Sequence, residues 1–352
     1  MAKRKKLLEN FKQIIDSGDF EAFRGVFEKC EITATNRGKT TSNAFSYRNL
    51  TPKHIQFLVD HGLEVNADCG FGLPAIAFHA DNKENLKCLL DNGADVNYVA
   101  VFYRGTALAH ACSTINAEAV SNLLEAGASI DVPGDVTGKT LLDVTLAHCD
   151  NIYIPRAVSI AKMLLDAGAV ETDQTKGYVQ KIGERFEFFR ENISKDIVEN
   201  LSAALDELYE LFQVPPVPGR IQHDGTTRIA VKGTRWQEQY DELWNMLVPG
   251  SGKAKTMQGE MIRIVGRVTH EVLDNGGINW DSDFREMLGA LREFLKQNQS
   301  LEAELVEEAV GIAKQVTAST EKKALYRLTE ITVKWVLANS EPIPLGEVKY
   351  RR

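Results

Sequence analysis

A helix-ending glycine recurs four times in the first half of the chain, and it constrains the fold more than any other feature. Each copy follows an apolar stretch of the form Leu-Leu/Val-x-x-Gly, and the glycines are Gly62, Gly93, Gly127 and Gly168. Glycine is the residue best suited to the left-handed position that ends a helix. Separations of 31, 34 and 41 residues therefore predict an array of stacked helical units rather than one closed core.

A second short helix is predicted in each unit. Thr106 and Thr140 precede apolar stretches rich in Leu and Ala, so we expect each threonine to cap the start of a helix. Pro74 stands at the corresponding place in an earlier unit, where a first-turn proline is tolerated. The small alanines of these helices allow neighbouring units to stack closely.

Residues of about 39–170 resemble ankyrin repeats. The stretch Gly105–Ala111 is a loose form of the family's Thr-Pro-Leu-His-x-Ala start, and Gly93-Ala94-Asp95-Val96-Asn97 is a close form of its end. The last unit departs from the pattern through an insertion around Cys149–Pro155. We expect a helical N-terminal cap over 1–38, with its capping pair at 7–30, followed by repeats over 39–173. The resemblance implies that the array binds a protein through its concave face and turn tips.

Aromatic and arginine residues crowd two of the predicted turns. Such residues dominate the binding energy of many interfaces, which makes these turns candidate partner-binding sites. The alternative is that the rings pack against an adjacent long turn. The candidates are Phe71, Tyr98, Phe102, Tyr103 and Arg104.

The second half has no repeat, and its longer helical periodicity predicts an α-helical domain over 178–340. Apolar stripes predict helices at about 235–247, 255–274, 279–297, 301–316 and 320–338. Residues 220–233 are the best strand candidates and predict a short β-hairpin around Asp224-Gly225. Pro342 and Pro344 are expected to end this domain. The predicted fold class is thus mainly α: an ankyrin-repeat solenoid followed by a helical domain with one candidate hairpin.

One segment of the second half is richer in polar groups than packing requires. It resembles helical domains of bacterial proteins, with Leu247-Val248-Pro249 and Gln258-Gly259-Glu260 followed by Asn279-Trp280-Asp281, and this resemblance implies no known activity. The segment is interpreted either as a structural ion-pair network, which we favour, or as a polar pocket or self-association surface. The residues concerned are Gln258, Glu260, Arg263, Arg267, Asn279 and Asp281.

Several functional classes are disfavoured by the sequence. Ala254 follows Gly252-Lys253 where a phosphate-binding loop needs Ser or Thr. No catalytic constellation, metal-ligand spacing or cofactor motif was found. The net charge of −8 disfavours general nucleic-acid binding. Five unpatterned cysteines and the lack of a long apolar run predict a cytoplasmic protein without membrane association.

These observations predict a non-catalytic protein-interaction module that acts as an adaptor, inhibitor or regulator. The repeats would bind a protein partner, and the helical domain would add a second contact or form a homo-oligomer. One alternative is an enzyme or ligand-binding protein with its site around Gln258–Arg267 and Asn279–Asp281. Another is a bacterial or phage factor that blocks a second system by binding it.

Overall fold

The computed structural model describes residues 2–37, 41–70, 72–100, 105–297 and 301–352. The chain divides into two compact units. The first unit extends to Phe186 and takes in Lys195–Val217, and the second consists of Glu187–Ser194 and Pro218–Arg352.

The first unit begins with a helix pair and a small sheet. Helices α1 (Phe11–Asp16) and α2 (Phe20–Lys29) form the predicted capping pair. Strands β1 (Arg4–Lys6) and β2 (Cys30–Thr35) flank it and pair in parallel, with a register irregularity between them. The strands were not predicted, since three charged residues in β1 carry no apolar alternation.

Paired short helices follow, as the glycine repeat predicts. After a 3₁₀ turn at Ala44–Ser46 come α3 (Pro52–Asp60), α4 (Ala75–His79), α5 (Lys83–Asp91), α6 (Ala107–Ser113), α7 (Ala117–Glu125), α8 (Leu141–Ala147) and α9 (Ile154–Asp166). Within the array α4 packs on α5, α6 on α7 and α8 on α9, and neighbouring pairs stack through α4, α6 and α8. The four helix-ending glycines all have φ between +86° and +98°. The predicted left-handed caps are therefore confirmed.

The threonine caps are also confirmed. Thr106 Oγ1 accepts from the Ala109 N–H at 3.2 Å, and Thr140 Oγ1 accepts from the Asp143 N–H at 3.1 Å. Alanines and thiols such as Ala107 and Cys112 are buried between the stacked helices, where larger side chains would separate them.

The last two helices of the first unit were assigned differently by the sequence analysis. Helix α10 (Thr175–Phe189) contributes residues up to Phe186 to this unit, and α11 (Lys195–Phe212) packs against α9. The sequence-based boundary at 173–178 placed both in the helical domain. A repeat array needs a cap on its final apolar face, and the stripe of α11 supplies one by burying Leu201, Leu205 and Leu208.

From residue 218 onward, the described residues of the second unit form five α-helices close to their predicted positions. They are α12 (Trp236–Leu247), α13 (Met257–Leu273), α14 (Ser282–Leu295), α15 (Ala303–Gln315) and α16 (Lys322–Ala338). Helix α13 is central and packs against α12, α14 and α16. Trp335 is fully buried in this core.

The predicted hairpin at 220–233 is wrong. Asp224 does form a turn, because its Oδ1 accepts from the N–H groups of Thr226 and Thr227 at 2.7 and 2.9 Å. The two flanks do not pair with each other, since His223 N–H bonds to Met246 O and Ile229 N–H bonds to Ser340 O. The backbone groups that a hairpin would pair are thus used in separate places.

Residues after 340 also differ from expectation, because the prolines do not end the unit. Met257 N–H donates to Ile343 O at 2.7 Å, and Leu345 N–H donates to Lys255 O at 3.1 Å. Pro344, which has no N–H to donate, lies between these two bonded residues. We call residues 340–352 the C-terminal segment. None of the helices within the described ranges is both long enough and apolar enough to span a membrane.

Candidate functional site

Most of the predicted partner-binding residues lie outside the described part of the chain. This holds for Phe71, Phe102, Tyr103 and Arg104. Tyr98 is described and is half-buried at the edge of the turn that follows α5. Their role in partner binding therefore stays a prediction.

The segments that connect successive helix pairs are here called fingers, and two of them are closed by equivalent backbone hydrogen bonds. Ala100 N–H donates to Gly105 O at 3.1 Å, and Gly134 N–H donates to Lys139 O at 2.7 Å. The acceptor in each case immediately precedes the threonine that caps the next helix. Two fingers are thus closed in the same way and in the same register.

The finger that contains Val136 is further fixed by Asp135. Its Oδ1 accepts from the Thr137 N–H at 2.8 Å, and its Oδ2 accepts from Lys139 Nζ at 2.9 Å. Partial burial alone would raise the pKa of Asp135, but these donors outweigh it and hold the pKa far below its ordinary value. The finger is therefore ordered by its own hydrogen bonds.

Asparagines connect one finger to the next. Asn66 Oδ1 accepts from the Asp95 N–H at 2.9 Å, and Asn97 Oδ1 accepts from the Ser129 N–H at 2.7 Å. Each asparagine stands four residues after a helix-ending glycine. Repeated side-chain bonds of this kind keep adjacent fingers in register.

Two valines of this surface are exposed rather than packed. Val99 is 57% exposed beside the first closed finger, and Val136 is 65% exposed in the second. Scattered apolar residues are normal on a protein surface. A pair beside successive fingers that are closed by the same backbone bond is instead a candidate contact surface.

In the second unit, Gln258 holds the C-terminal segment. This fully buried side chain donates from Nε2 to Asn339 O at 2.8 Å and to Glu341 O at 2.7 Å, and its Oε1 accepts from the Ile343 N–H at 3.0 Å. All three of these hydrogen bonds are made with backbone groups. The C-terminal segment therefore occupies the place where a polar pocket was predicted.

Glu260 and Arg263 form a buried ion pair on α13. Arg263 Nε and Nη2 donate to the two carboxylate oxygens at 2.8 and 2.5 Å, and Tyr350 Oη donates to Oε1 at 2.6 Å. Ala254 N–H supplies a further bond of 2.9 Å. Burial pushes the pKa of Glu260 upward, but these hydrogen bonds outweigh it and the pKa lies below its ordinary value.

Asn279 and Asp281 do not join that pair directly. Asn279 N–H donates to Glu271 Oε1 at 2.6 Å, and Asp281 Oδ2 accepts from Arg352 Nη2 at 2.5 Å. Asp281 also caps α14 by accepting from the Phe284 N–H at 3.3 Å. Arg263 Nη2 also donates to Arg352 O at 2.8 Å. Four of the six predicted pocket residues, Gln258, Glu260, Arg263 and Asp281, therefore bond to the C-terminal segment, which supports the structural interpretation.

An open cavity lies beside this network, and we call it the aromatic groove. It has a volume of about 590 Å³ and is lined by the rings of Phe188, Tyr240 and Trp244, by the 248–252 loop, and by Asp241 and Arg267. Arg263 reaches its wall, so Arg263 and Arg267 are the two predicted pocket residues that line it.

Gly266 makes the aromatic groove possible. A Cβ at this position would lie 2.2 Å from Trp244 Cζ3 and 2.2 Å from Tyr240 Oη. Because glycine has no Cβ, the rings of Tyr240 and Trp244 on α12 rest directly on the backbone of α13. This groove was not predicted, although the four-residue spacing of Tyr240 and Trp244 and the glycine within the next apolar helix were usable signals in the sequence.

Most ionisable groups around α13 take part in structural contacts. No cluster of three His, Cys, Asp or Glu side chains in the described ranges is arranged to hold a metal ion. In the part of the chain that the structure describes, Glu260, Arg263 and Asp281 bond to one another or to the C-terminal segment, whereas Arg267 does not. The arrangement is suited to holding structure and, at the aromatic groove, to admitting a ligand.

Comparison with solved structures yields an ankyrin repeat domain from Acinetobacter baumannii AYE. It shares 20% sequence identity, the alignment covers 56% of this chain and 97% of that domain, and the TM-score is 0.38. No protein-family model matches the chain, and no curated protein matches it. The first unit has an ankyrin-like repeat fold. This assignment rests on the unit's own helix pairs, threonine caps and left-handed glycines.

Proposed function

We propose that the chain is a non-catalytic protein-interaction module whose repeat unit binds a protein partner. The observation that carries the proposal is the pair of exposed valines, Val99 and Val136, on fingers closed by equivalent backbone bonds. The finger that contains Val136 is held by its own hydrogen bonds and would lose little conformational entropy on binding. The predicted aromatic and arginine residues between Ala100 and Gly105 would extend this surface.

The biological role that follows is that of a cytoplasmic adaptor, inhibitor or regulator. Binding by the repeats positions or blocks a partner without any bond being made or broken. The second unit would then supply a further contact or a dimer interface. Its exposed Ile221 and Ile278, at 86% and 80% exposure, are the apolar positions available for that purpose.

The test begins with affinity capture of the full chain and identification of the captured protein. Binding of the purified partner is then measured for the double variant Val99→Asp/Val136→Asp. Placing two charges in an apolar contact should weaken binding at least about tenfold, or about 1.4 kcal/mol, with an unchanged melting temperature. Val170→Asp is the matched control, because Val170 is 77% exposed outside the two fingers.

A second pair of variants separates the units. If Ile221→Asp or Ile278→Asp abolishes binding while the finger variant binds normally, the repeat unit is not the binding arm. Light scattering of the same two variants tests the dimer, which should dissociate if these isoleucines lie in its interface. A full chain that is monomeric at all concentrations contradicts dimerisation.

A further inference from the structure

We propose that the aromatic groove of the second unit binds a small anionic ligand that carries a planar aromatic group, with Arg267 contacting the anion. This inference concerns a site separate from the fingers and does not depend on the proposed partner binding. It rests on the size of the groove, the placement of its rings and the position of one unpaired cation.

The size fits a small molecule. A volume of about 590 Å³ lies within the range of cavities that enclose cofactors and drug-sized ligands. Such sites combine aromatic walls with a few convergent polar groups. The aromatic groove has both.

The aromatic walls are held in place before any ligand binds. Phe188 and Trp244 are stacked, with centroids 6.2 Å apart and an interplanar angle of 15°. Arg220 lies 4.0 Å from the Phe188 ring centre and donates to Phe188 O at 3.1 Å and to Asn245 O at 2.5 Å. Rings fixed in this way present flat surfaces on which a planar ligand can stack.

Arg267 supplies the charge. Among the described residues, no carboxylate or carbonyl forms a hydrogen bond or ion pair with it. Partial burial and the guanidinium groups of Arg263 and Arg352 lower its pKa, and the charge of Glu260 raises it. A partly buried guanidinium without a bonded anion is unfavourable, and an anion bound in the groove would supply that partner.

Two other ionisable groups, Asp241 and His270, also line the aromatic groove. Asp241 and His270 line both the aromatic groove and a second cavity of about 330 Å³, whereas Arg263 and Arg267 line the aromatic groove alone. His270 is paired with Asp274 at 2.9 Å. The ligand's anion would lie against Arg267, and a hydrogen-bond donor of the ligand would be favoured beside Asp241.

The experiment uses the full chain and three pairs of probes. The anions are adenosine monophosphate, flavin mononucleotide and indole-3-acetate, and the neutral partners are adenosine, riboflavin and indole-3-acetamide. Calorimetry should show at least one anion binding at least about tenfold more tightly than its neutral partner. Arg267→Gln should remove that difference while leaving the affinity for the neutral partner unchanged.

Two further variants locate the site. Arg285→Gln removes an exposed arginine of α14 and should leave the anion preference intact. Trp244→Phe keeps an aromatic wall but should abolish the quenching of tryptophan fluorescence by the bound probe. The proposal is overturned if none of the three anions is preferred, or if the preference survives in Arg267→Gln.

Discussion

The hydroxyl of Tyr350 donates a 2.6 Å hydrogen bond to Oε1 of Glu260, a carboxylate with no exposed surface. The two residues are 90 positions apart in the chain. Because a buried carboxylate is costly unless its oxygens are bonded, the C-terminal segment completes the core of the second unit instead of trailing from it.

Removing the Tyr350 hydroxyl should destabilise the second unit. Tyr350→Phe leaves the buried Glu260 with one donor fewer, and we expect a loss of about 2 kcal/mol in the free energy of unfolding. Urea unfolding followed by tryptophan fluorescence reports this unit alone, since all four tryptophans belong to it. Tyr326→Phe is the control, because it removes the same hydroxyl group from a tyrosine that is 39% exposed. Equal losses in the two variants would contradict the role given to the buried bond.

The same pair predicts how stability responds to acid. The pKa of Glu260 is lower in the folded chain than its ordinary value of 4.5. The stability that ionised Glu260 adds to the folded chain is therefore fully present above about pH 4.5. It is lost as the pH falls through the pKa that Glu260 has in the folded chain. Tyr350→Phe weakens the bonds that lower the pKa, so unfolding curves at decreasing pH should show a smaller acid-dependent loss than in the unaltered chain. If Tyr350→Phe and the unaltered chain lost the same stability on acidification, the bond between Tyr350 and Glu260 would not be the origin of the acid dependence.

The sequence predicted those parts of the structure that depend on local chemistry. The recurrence of Gly127 and its three counterparts predicted left-handed caps, and Thr106 predicted a helix start, because each preference is a property of the residue itself. The role of Gln258 and Tyr350 could not be predicted in this way. Their partners lie more than 80 positions away in the sequence. In addition, Pro342 and Pro344 before Tyr350 are local signals that predict the end of a domain.

The repeat caps give a matched pair of glycine substitutions. A Cβ meets no atom within 4 Å at either Gly127 or Gly177, but Gly127 has φ of +86° whereas Gly177 lies in helix α10. Gly127→Ala should cost about 1–2 kcal/mol through backbone strain, and Gly177→Ala should stabilise by up to about 1 kcal/mol. Thermal unfolding by circular dichroism measures both. A neutral Gly127→Ala would contradict the requirement for a left-handed cap.

The five free thiols should differ in reactivity. Cys88 is half-buried whereas the other four are buried, and burial raises the pKa of Cys112 and Cys149 to about 12. Since the thiolate is the reactive form, an aromatic disulfide reagent should label one thiol per folded chain rapidly. Cys88→Ser should remove that fast phase. A fast phase that persists in the variant would show that a stacked helix pair opens readily.

Gly266→Ala tests the close contact between α12 and α13 on which the aromatic groove depends. The added methyl group would overlap Trp244 and Tyr240 at 2.2 Å, so the rings must move and the second unit should lose about 1–3 kcal/mol. Gly311→Ala in α15 is the matched control, because no atom lies within 4 Å of its Cβ and helix propensity should make it stabilising. The displaced Trp244 should also shift the fluorescence emission maximum of the folded chain in Gly266→Ala alone. If the emission and the urea midpoint of Gly266→Ala both matched those of the unaltered chain, the two helices would not be in the contact that shapes the groove.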